Sequence, residues 1–170
     1  MFEIGEYIVY GGEGVCQVEA IGPLEKPGTA KGKLYYTLAP LYRDGKIYIP
    51  VDTSVFMRPV LSRKSAEELV RSIPDICGET CKERSVRAVN EYYQNLLHSR
   101  SCTDMVQLIK TAYQKREERH AHGGKPSQID ERYMKRAEDL LYGELAVSLG
   151  ISKDQVCGYI AGVVENHRSC

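Results

Sequence analysis

The sequence has no long apolar run, no export signal and no excess of charge of one sign. No stretch approaches the roughly 18 consecutive apolar residues that a membrane-spanning helix needs. The opening residues MFEIGEYI also lack the basic start and apolar stretch of a secretory signal. Lysine plus arginine and aspartate plus glutamate each number 23 among 170 residues. We therefore expect a cytoplasmic protein that does not associate with membranes, and the overall charge does not indicate a polyanionic partner.

Motifs of common catalytic sites are also missing. The chain contains no Gly-x-Ser-x-Gly elbow, phosphate-binding loop or dinucleotide fingerprint. Its histidines fall in predicted helix ends or loops, where a histidine is more often a surface residue than a general base. We expect no enzymatic activity, no catalytic residue, no cofactor and no small-molecule substrate.

The six cysteines are scattered, and reduced thiols are expected in a chain without an export signal. One cluster contains the donors of a zinc site, with Cys77 and Cys81 in CGETC and His98 and Cys102 in HSRSC. The Cys-x3-Cys spacing falls outside the tight zinc knuckle, and NLLHSRSC is typical of a helix end. Ordinary thiols are therefore the preferred interpretation, and no metal is expected.

Up to about Pro59, short runs of β-branched and aromatic residues alternate with breaks at glycine and proline. These runs predict five strands: EYIVYG, GVCQVEAIG, KLYYTLAPLY, KIYIPV and SVFMRPV. Gly11, Gly12 and Gly14 allow a sharp reversal between the first two strands, and RDG favours a hairpin between the third and fourth. Five short strands in so few residues predict a small, strongly bent β-barrel of the SH3 or Tudor type.

After Pro59 the apolar pattern takes the helical period. Capping residues and breaks predict helices that start near Ser65, Thr80 with Glu83, Thr103 or Asp104, Ile129, and Ser152 with Gln155. Val86 is predicted on the buried face of the second helix, and Tyr113 on the buried face of the third. The predicted organisation is an α+β fold in two domains: a β-barrel over 1–60, a connecting helix over 61–76 and an all-α bundle over 77–170.

Two features of the helical half bear on nucleic acid. Basic residues exceed acidic ones between residues 82 and 136, which fits either solvated helix faces or a DNA-contacting surface. The segment LAVSLGISKDQVCGYI matches a helix-turn-helix, with Gly150 at the turn. In its second helix only Lys153 and Gln155 could contact base edges, and the negative charge of Asp154 between them is unfavourable next to DNA. We prefer to interpret it as two packed helices, and a free-standing sequence-specific DNA-binding protein is the alternative.

Several segments follow one another in the order of a known family. They are VYGGEGVCQVEAIG, YYTLAP, IYIPVD and MRPVLS in the first half, and MVQLIKTAYQKR and AEDLLYGELAVSLG in the second. With them the chain resembles the CarD/CdnL family of bacterial transcription regulators. Its first half also resembles the polymerase-interacting module of the transcription-repair coupling factor. The resemblance implies a Tudor-like domain that docks on the RNA polymerase β subunit, and a helical domain that contacts promoter DNA near the upstream edge of the bubble.

The resemblance also implies which residues make these contacts. The polymerase-binding residues would be Lys46, Ile47, Tyr48, Ile49 and Pro50. The DNA-binding residues would be Lys82, Arg84, Arg87, Tyr92, Arg132, Lys135 and Arg136. Many family members wedge a tryptophan into the minor groove, but this chain has no tryptophan. Val86 aligns nearest to that position, and Tyr92 is the candidate substitute.

Overall fold

The computed structural model describes residues 1–25, 27–79 and 85–168. The chain divides into two compact units, Met1–Leu61 and Ser62–Cys170. All strands lie in the first unit and all α-helices in the second, which confirms the expected α+β layout. None of the described helices is both long and apolar enough to cross a membrane.

The first unit is one antiparallel sheet. Its strands are β1 (Tyr7–Tyr10), β2 (Gly14–Pro23), β3 (Leu34–Pro40), β4 (Ile47–Pro50) and β5 (Met57–Pro59). They pair in the order β4-β3-β2-β1-β5, and the five predicted strands are confirmed. No pairing joins β4 to β5 among the described residues, so the sheet is open and the expected closed barrel is not observed. Both strands are short and end in a proline, which has no N–H to donate to another strand.

The reversal between β1 and β2 depends on glycine. Gly11 has a φ of 47° and Gly14 a φ of 85°, in a region that residues with a Cβ rarely occupy. The N–H of Glu13 donates to the carbonyl of Tyr10 at 2.9 Å and closes the turn. Gly11 and Gly14 are therefore favoured at these positions by the backbone of the hairpin.

The core of the sheet lies on one face, where alternate strand positions are apolar. Its buried residues are Ile8, Cys16, Val18, Tyr36, Leu38 and Ile49. The hydroxyl of the buried Tyr36 accepts a hydrogen bond from the Phe2 N–H at 2.9 Å, so its polar tip is satisfied. Burial raises the pKa of the Cys16 thiol to about 11. Cys16 therefore stays protonated and packs as a small apolar side chain.

The second unit is a helical bundle. Its elements are α1 (Arg63–Ser72), a 3₁₀ turn (Ile73–Asp75), α2 (Val86–His98), α3 (Cys102–Ala121), α4 (Gln128–Leu149) and α5 (Lys153–Arg168). The α3–α4 pair makes the most extensive contact, and α1 packs against α4 and α5. The helix expected to connect two domains is thus part of the helical bundle. Leu108, Leu141, Leu145 and Val156 are fully buried at its centre.

Among the described helices, four begin at a serine with an extended backbone, and three of these serines are side-chain caps. In each of these three the side chain accepts a hydrogen bond from the N–H three residues later. These serines are Ser62, Ser85 and Ser101. The predicted caps at Ser65 and at Thr103 or Asp104 are therefore wrong, because an earlier serine at each site already has the extended backbone of a cap.

The second helix also starts later than predicted. It begins at Val86, after the cap at Ser85, whereas the sequence favoured a start at Thr80 with Glu83. Thr80 and Glu83 lie outside the described residues. Several hydroxyl and acidic residues precede this helix, and spacing alone does not distinguish between them.

The junction of α4 and α5 follows the prediction. Gly150 ends α4 in the left-handed conformation, with a φ of 68°. The Ser152 N–H then donates to Gln155 Oε1 at 3.0 Å, which is one of the two hydrogen bonds of the predicted capping box.

Two glycine-to-alanine substitutions test this description with opposite expected signs. Gly150→Ala places a Cβ at positive φ and should lower the free energy of unfolding by about 1 kcal/mol. Gly158→Ala, inside α5 and with nothing within 4 Å of the added Cβ, should raise it by up to about 1 kcal/mol. Urea unfolding followed by the helical circular dichroism signal measures both. Equal shifts of the same sign would contradict the assigned C-cap.

Candidate docking strand and basic helix face

β4 is the last strand in the sheet order. Among the described strands it pairs only with β3, through Leu38 to Ile47, Thr37 to Tyr48, Tyr36 to Ile49 and Tyr35 to Pro50. Ile49 is buried in the core and Ile47 is half-buried, whereas the intervening Tyr48 is 38% exposed. β4 therefore contributes to the core with two isoleucines and presents Tyr48 on the opposite face of the sheet.

Ion pairs on the surface flank this strand. Lys46 Nζ lies 2.6 Å from Glu19 Oε2, and this hydrogen-bonded partner raises the pKa of Lys46. Beyond the other end, Lys33 donates to Asp52 at 3.0 Å and lowers the pKa of that carboxyl. Exposed pairs of this kind add little stability, but they orient the two ends of β4. The Pro50 carbonyl accepts from the Thr53 N–H at 3.1 Å.

The cations expected to contact DNA gather on two helices. Arg132, Lys135 and Arg136 are exposed on the N-terminal half of α4, and Arg87 is exposed in the first turn of α2. Arg132 donates to Asn90 Oδ1 at 3.3 Å, one turn beyond Arg87, so the two helices lie side by side here. We call these four residues the basic face. Lys82 and Arg84, predicted to join it, lie outside the described residues.

A buried carboxylate underlies the basic face. Asp130 is 3% exposed and accepts a hydrogen bond from the Tyr93 hydroxyl at 2.9 Å. Lys115 Nζ and Arg119 Nη2 each lie 3.9 Å from its oxygens, and Lys115 also lies 5.4 Å from the centre of the Tyr93 ring. Asp130 therefore joins α2, α3 and α4. The sequence does not reveal this role, because an aspartate in the first turn of a helix is also expected as a partner of the helix dipole.

These contacts reduce the positive charge that α3 presents to solvent. Lys115 and Arg119 are paired with Asp130, and Arg116 lies 3.8 Å from carboxylate oxygens of Glu117 and Glu131. The cations of α3, which the sequence suggests as part of a basic surface, mainly hold the bundle together. The basic face, by contrast, consists of cations that are exposed to solvent.

The two wedge candidates differ in exposure. Val86 is 63% exposed at the first position of α2, so the prediction that it faces the core is wrong. Val86 is the first residue of α2, and it precedes the part of the helix that packs on α3. Tyr92 is half-buried, its ring centre lies 5.6 Å from that of Tyr93, and its hydroxyl accepts from Gln107 Nε2 at 3.4 Å.

The helix-turn-helix segment is packed as predicted, but its two possible base readers have partners within the fold. Val156 is fully buried beneath the Gly150 turn. Lys153 pairs with Asp139 at 3.2 Å, and Gln155 caps α5 through the Ser152 N–H. Neither observation favours sequence readout by α5.

The residues considered as zinc donors do not form a metal site in the described part of the chain. Cys102 is buried and its thiol donates to Glu144 Oε2 at 3.3 Å, whereas Cys77 is exposed. Cys81 lies outside the described residues. Within those residues, no group of three or more histidine, cysteine, aspartate or glutamate side chains is positioned to hold a metal ion.

The open five-stranded sheet with β4 at its end has a counterpart among known domain families. Residues 2–61 match the CarD-like/TRCF RID domain. This family of domains interacts with RNA polymerase and is linked to transcription regulation. The match spans all five strands of the sheet and ends before α1. We refer to the matched residues 2–61 as the RID domain. Among curated proteins, none shows significant similarity to this chain.

Proposed function

We propose that this chain is a cytoplasmic transcription regulator without enzymatic activity. Its RID domain docks on the RNA polymerase β subunit, and its helical unit contacts promoter DNA near the upstream edge of the bubble. The match of residues 2–61 to a polymerase-interacting domain family is the observation that carries the proposal. Through the polymerase, the protein is brought to the nucleoid.

The docking element of this proposal is β4. An extended partner segment can add to the edge of a sheet through main-chain hydrogen bonds, with alternate side chains providing specificity. β4 is the terminal strand, and Tyr48 lies at its centre with its side chain away from the core. In this role the open sheet is the equivalent of the family's Tudor-like docking domain.

The basic face supplies the DNA contact. Its four cations would neutralise phosphates, which gives binding that depends on salt and not on base sequence. Such contacts are weak in a free protein. Docking on the polymerase makes them effectively intramolecular and raises the local concentration of DNA.

Preference for melted DNA would require a contact that the closed duplex does not allow. A ligand shifts an equilibrium only by its differential affinity for the two states. An apolar side chain inserted at the edge of the bubble gives such a difference, because it resists restacking. Val86 is the exposed apolar residue beside Arg87 of the basic face, and we assign the wedge role to it in preference to the partly packed Tyr92.

Tyr48→Asp tests the docking strand. The substitution should weaken binding to an isolated β-subunit lobe by at least about tenfold, because interface tyrosines often dominate binding energy. The sheet should stay folded, since Tyr48 is 38% exposed. Calorimetric titration of the full-length protein measures the affinity. Val55→Asp, at a 42% exposed position next to the opposite edge strand, is the matched control and should bind normally. Unchanged affinity of Tyr48→Asp would remove β4 from the interface.

Removing two cations tests the basic face. Lys135→Ala with Arg136→Ala should weaken binding to duplex DNA and reduce the slope of log affinity against log salt by about 2. Fluorescence anisotropy at several salt concentrations measures both quantities. Lys64→Ala with Arg71→Ala removes the same charge from α1 and should leave the slope unchanged. A fixed site that outcompetes random DNA would instead support the sequence-specific alternative.

Val86→Trp tests the wedge. A larger apolar side chain at this position should lengthen the lifetime of polymerase–promoter open complexes severalfold, because it fills more of the gap between unstacked bases. Tyr92→Leu should leave the lifetime unchanged. The opposite pattern would assign the wedge to Tyr92, and no effect of either substitution would show that neither residue acts as one.

A further inference from the structure

The helical unit contains a cleft that the proposed function does not use. It lies between the segment 74–78 and the antiparallel helices α3 and α4, and its volume is about 730 Å³. Volumes of roughly 300–1,000 Å³ are typical of small-molecule sites. Ile76, Ile109 and Met134 form its apolar part. Its polar lining includes Glu138 and Tyr142.

The wall formed by the segment 74–78 is held firmly against α3. Lys110 Nζ donates to the carbonyl of Ile76 at 2.6 Å and also to that of Ile73. A Cβ on Gly78 would lie 2.7 Å from Gln114 Oε1 and 3.1 Å from the Thr111 backbone nitrogen, so the segment packs closely on α3 at this glycine. The Glu79 N–H donates to Thr111 Oγ1 at 3.1 Å. The cleft is therefore preformed.

Both cations of the lining are already bonded within the fold. Lys110 is bound by the carbonyls of the 3₁₀ turn and the residues that follow it. The Arg116 guanidinium lies near two carboxylates and is 4.9 Å from the centre of the Tyr113 ring. Tyr113, which the sequence placed in the core, is 49% exposed at this cleft.

The carboxylate of the lining lacks such a partner. In the part of the chain that the structure describes, neither the Glu138 carboxylate nor the Tyr142 hydroxyl makes a hydrogen bond, and Glu138 has no ion pair within 4 Å. Met134, Glu138 and Tyr142 are spaced by four residues, so they share one face of α4. A ligand group that forms hydrogen bonds with both the Glu138 carboxylate and the Tyr142 hydroxyl would satisfy two partly buried polar groups at once.

The surroundings of these two groups agree with this reading. Burial raises the pKa of Glu138; Arg116 opposes that shift, and Asp139 and Glu131 add to it. A cation next to Glu138 would relieve this unfavourable environment. Burial, with a contribution from Glu138, raises the pKa of Tyr142 to about 12. Its hydroxyl is therefore neutral and can accept a hydrogen bond from an ammonium group.

We propose that this cleft binds a small organic cation, a primary ammonium on an aromatic or aliphatic body. The ammonium donates to the Glu138 carboxylate and the Tyr142 hydroxyl oxygen. The apolar body packs on Ile76, Ile109 and Met134. The exposed Tyr113 ring adds an aromatic surface, which attracts cations as well as other rings. The site binds its ligand and carries out no reaction on it, so it extends the proposed function and does not depend on it.

A matched pair of probes tests the site in the full-length protein. 2-Phenylethylamine carries the ammonium, and 2-phenylethanol has the same body without the charge. Calorimetry and amide chemical-shift mapping should show saturable binding of the amine at the cleft, at least about tenfold tighter than that of the alcohol, as a charge-assisted hydrogen bond provides. Equal affinity for both probes, no binding of the amine at millimolar concentration, or shifts outside the cleft would overturn the proposal.

Variants locate the contact. Glu138→Gln should weaken amine binding about tenfold and leave alcohol binding unchanged. Ile109→Trp, which fills the apolar part, should abolish binding of both probes. Glu68→Gln, exposed on α1, is the control and should bind like the unsubstituted protein. A Glu138→Gln protein that is folded by circular dichroism and binds the amine normally would show that the carboxylate does not recognise the ligand.

Discussion

The buried carboxylate of Asp130 is the interaction on which the helical unit depends. An ionised group removed from water is costly unless charges and hydrogen bonds compensate it. Here the compensation comes from the Tyr93 hydroxyl on α2 and from Lys115 and Arg119 on α3. The same contacts therefore link three helices and pair two cations of α3 with a buried carboxylate. Of the described cations expected to contact DNA, Arg87 and the three of α4 are exposed.

α4 is long enough for three separate tasks. Its inward residues, such as Ala137 and Leu141, fill the core of the bundle. A second face carries the exposed Lys135 and Arg136. A third face lines the cleft with Glu138 and Tyr142. Because helical positions repeat about every 3.6 residues, neighbours in sequence can face solvent, the core and the cleft in turn. The same helix therefore stabilises the bundle and carries both its exposed basic residues and the lining of the cleft.

The strands were predictable because each one has a local signal. β-branched and aromatic runs bounded by glycine and proline mark all five, and Gly11 and Gly14 mark the first hairpin. Closure of the sheet had no such signal, since it depends on whether β4 and β5, at the two ends of the sheet order, pair with each other. Helix starts were less predictable for a related reason. Several serines, threonines and acids precede each helix, and the cap is the one that the backbone holds in an extended conformation.

The sequence by itself determined the α+β layout, the five strands and the basic residues of α4, because these follow from periodicity, turn chemistry and charge along the chain. Only the tertiary structure decided which charged side chains are paired. Asp130 and Lys115 are 15 positions apart yet meet across two helices, whereas Glu138 lies in the cleft without an ion-pair partner among the described residues. The exposure of Val86 was likewise decided by where α2 begins. Burial and pairing arise from contacts between elements, and a local pattern does not contain them.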